Sequence, residues 1–597
     1  MKKHIVSSWI IFFTLALIAC QQTPALKQGG ETYQTGAPTG VPTPAGRQLY
    51  LPLLVIGAEN QTGTAVNLPI TVAQTPLSPQ KTCTSGFVPH RLDHFTEVHG
   101  QAVRMFETNG AGVAINDLDQ DGLLDLVFAN LNGPATIFWN RGGLTFEKEI
   151  LPDLNTRAVN LVDVTGDGRI DIVFTHIVSS LTYWKNTGSN RSAVFERIPL
   201  PGVREWAHSM AWGDLNGDGT LDLVTGSYDA ELNLTLTNDF LFSDGAGVYL
   251  YEQLDDTFTP TRLSETSQAL VIALMDVNQD RQPDILVGND FNIRDMAWVQ
   301  TDGAWLPATP FATTSQHTMN FDWGDINNDG TFELFATDMA PYDTSPTGMA
   351  PWMPMMEMMM AGEMEGEMEM ADHQPEDDPQ VPQNVLQIQN ADGSYQNVAG
   401  VSGVAASGWA WSGKFGDLDQ DGLLDLYVVN GMIDVEMFHY LPGDELVEEN
   451  QAYRNTGNSF FAPAPEWNLG ATESGRGMSM ADLDNDGDLD IVVNNLRSQA
   501  QLLENQLCSG MSLEVDLRWT GSLNPFAIGA HVILHTSTGT YTRDVRASSG
   551  YLSGDPTRVH FGFPANTELL SLDILWPDGS VSTVEAPTAG SLLTITR

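Results

Sequence analysis

Seven copies of one nine-residue spacing, D-x-[DNT]-x-D-x-x-x-[DE], place oxygen-bearing side chains at positions one, three, five and nine. The sets are Asp117, Asp119, Asp121 and Asp125; Asp163, Thr165, Asp167 and Asp171; Asp214, Asn216, Asp218 and Asp222; and Asp276, Asn278, Asp280 and Asp284. Three more follow: Asp325, Asn327, Asp329 and Glu333; Asp417, Asp419, Asp421 and Asp425; and Asp482, Asp484, Asp486 and Asp490. Hard oxygens at this spacing, with a glycine at position six to turn the backbone, suit a cation that takes six to eight oxygen ligands, and Ca²⁺ is that cation. Up to seven calcium ions are expected. With Arg281 in place of the glycine and Pro283 before the last ligand, the fourth loop is expected to be distorted or empty, and Thr165 weakens the charge of the second. The first, sixth and seventh loops, with four acids each, should bind most tightly.

The flanks decide which elements hold these loops. An EF-hand needs a Glu at position twelve and helices on both sides, whereas position twelve here is Phe128, Phe174 or Val493. β-rich runs follow the loops, such as Leu124 to Asn130 and Leu489 to Asn495, and small apolar runs precede them. Each loop therefore joins two strands of a hairpin, with the acid at position nine opening the second strand. Aromatic-rich turns, Phe138 to Gly143, Tyr183 to Gly188 and Tyr453 to Gly457, then mark a third strand, with Phe146, Phe195 and Phe460 as fourth-strand anchors.

The steps between successive first aspartates are 46, 51, 62, 49, 92 and 65 residues. Four-strand units at such periods are propeller blades, which bury their faces only against neighbours. A closed ring also removes exposed sheet edges. The fold expected is all-β: a seven-bladed propeller followed by a small C-terminal β domain.

These loops and turns resemble the FG-GAP, or VCBS, repeats of calcium-binding propellers such as the integrin α-subunit head. The stretch His317 to Pro341 resembles the ASPIC/UnbV group, which includes cartilage acidic protein. So do Asn524 to Val532, Arg546 to Pro556, Val559 to Phe563 and Leu572 to Ser580 near the C-terminus. The resemblance covers about five hundred residues. It implies a recognition or adhesion role for the chain.

The chain has 27 Lys plus Arg against 76 Asp plus Glu, a formal charge of −49, which argues against nucleic acid or an anionic membrane surface as partner. The loops hold 24 of those acids, and carboxylates so crowded repel one another unless cations join them. Extracellular calcium modules bind at about 0.1 to 1 mM, which suits a compartment outside the cytosol. Lys2 and Lys3 precede an apolar stretch from Trp9 to Ala19, and Leu17-Ile18-Ala19-Cys20 resembles a lipobox. Residues 1–20 are therefore read as a lipoprotein signal with lipidation at Cys20, anchoring a body outside the cytoplasm to the cell envelope, at an outer membrane or the cell surface. Residues 21–82, rich in Gln, Thr, Pro and Gly, read as a flexible tether with one apolar patch at Leu49 to Gly57. The propeller is assigned to 83–507 and the ASPIC/UnbV domain to 508–597. Cys83 and Cys508 flank the repeats, so a disulfide between them would clasp the ring.

An insert at 343–381 carries ten methionines between Met349 and Met370, followed by His373. Thioethers favour Cu(I), but a projecting, mobile acidic loop explains the bias more simply, and copper is disfavoured. No G-x-S-x-G elbow, H-E-x-x-H helix or phosphate-cradling loop occurs. His90, His94 and His99 precede the first blade, and His208 and His317 precede two loops on strands expected to be innermost; a structural role, hydrogen-bonded in turns or facing the central channel, is expected for all five. The expected function is a non-catalytic, monomeric scaffold for a protein or glycan ligand. A glycan-active hydrolase or lyase at the channel mouth, with His208 and His317 engaged, is the alternative.

Overall fold

The computed structural model describes residues 68–597 apart from 80–82, 101, 190, 238–245, 255–256, 292 and 362–378, and only the backbone of 359–361. The expected lipoprotein signal at 1–20 with Cys20, the patch at Leu49 to Gly57 and His373 lie outside the described residues.

In every one of the seven loops the acid at position nine is the first residue of a strand, as the sequence predicts. Asp125 opens Asp125–Phe128, Asp171 opens Asp171–His176, Asp222 opens Asp222–Gly226 and Asp284 opens Asp284–Asn289. Glu333–Thr337, Asp425–Asn430 and Asp490–Asn495 follow suit. Each pairs antiparallel with the strand before its loop, and each hairpin extends into an antiparallel sheet of four strands, five in the sixth sheet, where Met339–Ala340 adds an edge. Phe146 and Phe195 open fourth strands. In the sixth sheet Phe461 does so instead of Phe460, because Phe461 pairs with Asn455 and takes the buried place while Phe460 ends the turn, 52% exposed.

The first strands of the seven sheets neighbour one another in chain order, and the seventh returns to the first. Three strands of the seventh sheet come from Gly475–Ala481, Asp490–Asn495 and Gln499–Asn505, whereas its outer strand is Phe87–Phe95 from the other end of the ring. The circle is closed by β pairing between chain segments more than four hundred residues apart. Cys83 and Cys508 form the expected disulfide beside this seam. Apolar clusters sit between sheets, as when Leu126 and Phe128 of the first meet Val492 and Leu502 of the seventh. The propeller reading thus holds for the reason given: no sheet covers its own faces.

A second device binds sheet to sheet. The residue ending or lying near the end of each third strand carries a side-chain amide that donates to the carbonyl of position two in the preceding loop. Asn140 reaches Leu483 at 2.7 Å, Asn186 reaches Leu118 at 3.0 Å, Gln253 reaches Val164 at 3.0 Å and Gln300 reaches Leu215 at 3.2 Å. Gln389 reaches Val277 at 3.4 Å, Asn455 reaches Ile326 at 2.8 Å and Asn505 reaches Leu418 at 2.8 Å. Seven bonds complete the circuit. Asn186→Ala leaves the buried carbonyls of Leu118 and Ile170 without this donor, and a loss of about 1–3 kcal/mol in chemical denaturation is expected.

The C-terminal domain consists of two four-stranded sheets, one built on Met511–Arg518 and Val559–Phe563, the other on His531–Thr536 and Leu569–Leu575. Alternate residues Leu513, Val515, Val532, Leu534, Leu572, Ile574 and Ile595 share one apolar core. Thr71–Pro76, expected within the flexible tether, is a strand of the first sheet, paired with Ser591–Thr596. It offers backbone groups to an otherwise open edge, a gain that its polar composition concealed.

The insert differs from expectation as well. Met353–Ala361 is a helix, and Trp352 and Met355 are buried, Trp352 stacking on Trp409 at 5.6 Å. The Tyr440 hydroxyl donates to the Pro351 carbonyl at 2.9 Å and accepts from the Met355 N–H at 3.1 Å. Apolar burial therefore holds this part of the methionine run on the propeller; it is not a projecting loop.

Candidate metal centres

All seven loops share one hydrogen-bond pattern. The carboxylate at position one accepts the N–H groups of positions five and six, as Asp117 does from Asp121 at 3.1 Å and Gly122 at 3.0 Å. The acid at position nine accepts the N–H of position two, as Asp125 does from Leu118 at 3.1 Å. The aspartate at position five accepts from position seven, as Asp121 does from Leu123 at 2.9 Å. Position six is left-handed throughout, with φ of 94° at Gly122 and 95° at Gly487, which glycine adopts without steric cost. Position four is left-handed too, at Gln120, Gly166, Gly217, Gln279, Asn328, Gln420 and Asn485. The spacing motif does not mark this position, although Gly and Asn recur there.

Arg281 does not distort the fourth loop. Its φ is 72°, and its N–H still donates to Asp276 at 2.8 Å, as the glycines do. The residues around it impose the turn, and the side chain bears the strain.

Three loops gather acids from positions one, three and nine within 4.8 Å: Asp117, Asp119 and Asp125; Asp417, Asp419 and Asp425; Asp482, Asp484 and Asp490. These are the three loops singled out by charge. The position-five aspartates are not in these groups. Asp119 is nine-tenths buried and its Oδ1 has no hydrogen-bond partner; Oδ1 of Asp419 is likewise buried without one. A carboxylate oxygen withdrawn from water without a donor is costly, and a hard divalent cation between such oxygens removes the cost. The residues present therefore fit a divalent cation that prefers oxygen.

Charge around the loops differs. Arg141 lies 3.5 Å from Asp119 and Arg454 2.8 Å from Asp419, each partly neutralising its site. In the second loop Arg169 and Lys185 sit on Asp167 instead, where Thr165 Oγ1 is buried without a partner. The seventh loop gains a further buried acid at position seven, Asp488, which the spacing motif left out.

Burial raises these carboxyl groups, and neighbouring carboxylates add to the effect. Asp117 is pushed up to about 6, Asp125 and Asp417 to about 8, and Asp482 and Asp490 well above the ordinary range. Without metal, the folded protein thus binds more protons than the unfolded chain between about pH 4 and pH 8, and its stability falls as pH rises through that window. Cations compete with those protons. Melting temperatures measured in chelator should drop from pH 5 to pH 8, and excess calcium should flatten or invert that slope.

The histidines take separate structural partners. His90 meets Glu504 at 2.7 Å, His99 meets Glu107 at 3.1 Å, and His94, stacked on Phe128, meets Thr136 at 3.1 Å. His317 pairs with Asp290 at 2.7 Å, and Asp290 also accepts from the Tyr228 hydroxyl at 2.6 Å. His208 is buried, and burial holds it well below the usual histidine range; it lines a cavity of about 10 Å³, room for one water.

The mouth of the ring on the side of the innermost strands is filled by the chain itself. In the segment from Arg546 to Pro556, Gly550 N–H donates to the Phe321 carbonyl at 2.8 Å and Gly554 N–H to Val113 at 3.1 Å. Val159 N–H donates to Leu552 at 3.2 Å, and Tyr551, fully buried, donates to the Asn109 carbonyl at 2.9 Å beside Trp411. Lys414 holds Asp555 at 2.6 Å, and Arg546 holds Asp322 at 3.1 Å. This segment of the C-terminal module is therefore a plug seated among the first strands.

The FG-GAP-like repeat family matches residues 117–174, 163–225, 276–336 and 438–493, and the family described as ASPIC and UnbV matches 520–597. Cartilage acidic protein 1 of Xenopus tropicalis is 35% identical over 114 residues, 18% of this chain and 17% of that protein. The Mus musculus protein of the same name is 36% identical over 112 residues, again 18% and 17%. The match spans less than a fifth of the length of these relatives. Among solved structures, the WD40 domain of Toxoplasma gondii coronin is similar at a TM-score of 0.37 and 9% identity, over 72% of this chain and 88% of that one. Rhamnogalacturonan lyase PL11 of Bacillus licheniformis is similar at a TM-score of 0.33 and 13% identity, over 70% and 76%. With its repeated carboxylate hairpins and its plug accounted for, the chain is an FG-GAP-repeat protein of propeller type that carries an ASPIC and UnbV domain at its C-terminus.

Proposed function

We propose that this protein is a calcium-binding recognition scaffold of the cell envelope, lipid-anchored through Cys20, whose rigid ring presents loops to a protein or glycan without catalysing a reaction. The observation that carries the reading is the set of three buried carboxylate clusters, with the unpartnered Asp119 oxygen among them. Calcium is favoured over magnesium because carboxylates at four positions of one loop can supply the larger ligand number that calcium takes, whereas magnesium keeps several waters and uses one or two carboxylates. Two further features support a scaffold. The plug occupies the ring's entrance, so recognition falls to outer surfaces; His317 is held by Asp290, and His208 is buried away from solvent. Among the described residues no helix is long and apolar enough to cross a membrane, in keeping with attachment through lipid.

Calorimetric titration of the chelated protein tests the reading. Binding of about three ions at roughly 0.1 to 1 mM is expected; a flat titration sinks it. A glycan array probed in calcium and in chelator, with assay for released sugar, tests the scaffold role, and turnover of any polysaccharide would replace it with an enzyme. Cys20→Ser should move the protein from the membrane fraction to the soluble fraction, and an unchanged distribution rules out the anchor.

A further inference from the structure

Resting on the calcium reading, we infer that the cations of the first, sixth and seventh loops lock the C-terminal plug into the ring, so that ion binding and plug docking are one coupled equilibrium. The three clustered loops belong to sheets six, seven and one, which are consecutive around the circle. They are also loops on which the C-terminal domain sits. Arg558 donates to the Gly122 carbonyl at 3.3 Å and to Asn485 Oδ1 at 3.1 Å. His560 bonds to the Gly487 carbonyl at 3.0 Å. Ser509 donates to the Asp419 carbonyl, and Gly510 N–H to the Gln420 side chain at 3.2 Å.

The route from ion to plug is short. In the first and seventh loops the position-one carboxylate grips the N–H of the glycine at position six: Asp117 holds Gly122 at 3.0 Å, and Asp482 holds Gly487 at 2.6 Å. The carbonyls of those same glycines are the acceptors for Arg558 and His560. A cation that fixes the carboxylate therefore fixes the peptide plane that the C-terminal domain reads. Gln420 Nε2 ties the sixth loop to the Gly487 carbonyl at 2.7 Å, joining the two neighbouring loops. In the sixth loop the contact is closer still: a Cβ on Gly562 would lie 2.4 Å from Asp417 Oδ2. Removing the ions leaves crowded carboxylates whose repulsion favours opening of the loop, and opening withdraws Gly122 and Gly487 from their partners. By reciprocity, a docked plug raises the affinity of these loops for calcium.

Hydrogen exchange on the full-length chain in calcium and in chelator tests this, with bound calcium counted by elemental analysis. The amides of Gly550 and Gly554 in the plug are the reporters. Chelation should speed their exchange by roughly 5- to 150-fold, the ordinary range of coupling between two sites. Asp482→Asn should do so in calcium, whereas Asp276→Asn in the fourth loop should leave them protected. If calcium is bound and released on chelation while the plug amides stay equally protected, the coupling is wrong and the calcium reading stands. If no calcium is bound, both fall. Equal effects from Asp482→Asn and Asp276→Asn would also overturn the coupling, since the loss would then be general.

Discussion

Removal of divalent cations should lower the melting temperature of this protein more than any surface substitution does. A ligand at one hundred times its dissociation constant stabilises the folded state by about 2.7 kcal/mol per site, so three sites contribute about 8 kcal/mol. The three clusters on which this figure rests are Asp117, Asp119 and Asp125; Asp417, Asp419 and Asp425; and Asp482, Asp484 and Asp490. Differential scanning calorimetry with calcium and with excess chelator measures the difference. The shift should reverse when calcium is restored, and an identical transition under both conditions would leave the clusters as metal-free turns. The seventh loop should matter most, because Asp488 adds a further buried acid beside its clustered carboxylates.

Gly112→Ala should release the plug. A methyl group at Gly112 would stand 1.7 Å from the carbonyl oxygen of Leu552 and 2.6 Å from its carbon. Both are backbone atoms, so no rotamer change relieves the overlap. Overpacking by one methyl usually costs about 1–3 kcal/mol; here the segment must withdraw, and Tyr551 must leave its buried place beside Trp411. The variant should show faster proteolysis near Tyr551 and a lower melting temperature. Gly400→Ala is the matched comparison, since nothing lies within 4 Å of its added methyl and its stability should hold. A Gly112→Ala protein that melts and resists protease like the parent would mean that the inner strand shifts without displacing the plug.

The loops were legible because their chemistry is local. Nine residues supply their own carboxylate-to-amide bonds, so Asp117 with Gly122 reads the same in isolation as in the fold. Strand order followed from the same units, since position nine opens a strand wherever the motif occurs. The seam was legible only by reasoning about closure, from Cys83 and Cys508 on either side of the repeats. The plug was not legible. Arg546 to Pro556 carries Ser, Gly and Asp in the manner of a surface loop, and the first strands of the ring, far away in the chain, accept the amides of Gly550 and Gly554. Thr71–Pro76 escaped notice for a similar reason: an edge strand needs only free backbone groups opposite, and Ser591–Thr596 provides them. The amides of Asn140, Asn186 and Asn455 were visible as turn residues, but their reach to the next sheet depends on a curvature that no single repeat encodes. In the methionine run, the pull of Trp409 and Tyr440 on Trp352 and Met355 came from outside the segment.

The circuit of amide bonds from Asn140 round to Asn505 has a direction, each unit giving to its predecessor and receiving from its successor. A row of identical modules laid in a line always has two lonely ends, where loosening begins. This one has none. Loss of any member strands a donor on one side and an acceptor on the other, so the array behaves as a single hoop whose size is set by all its staves together.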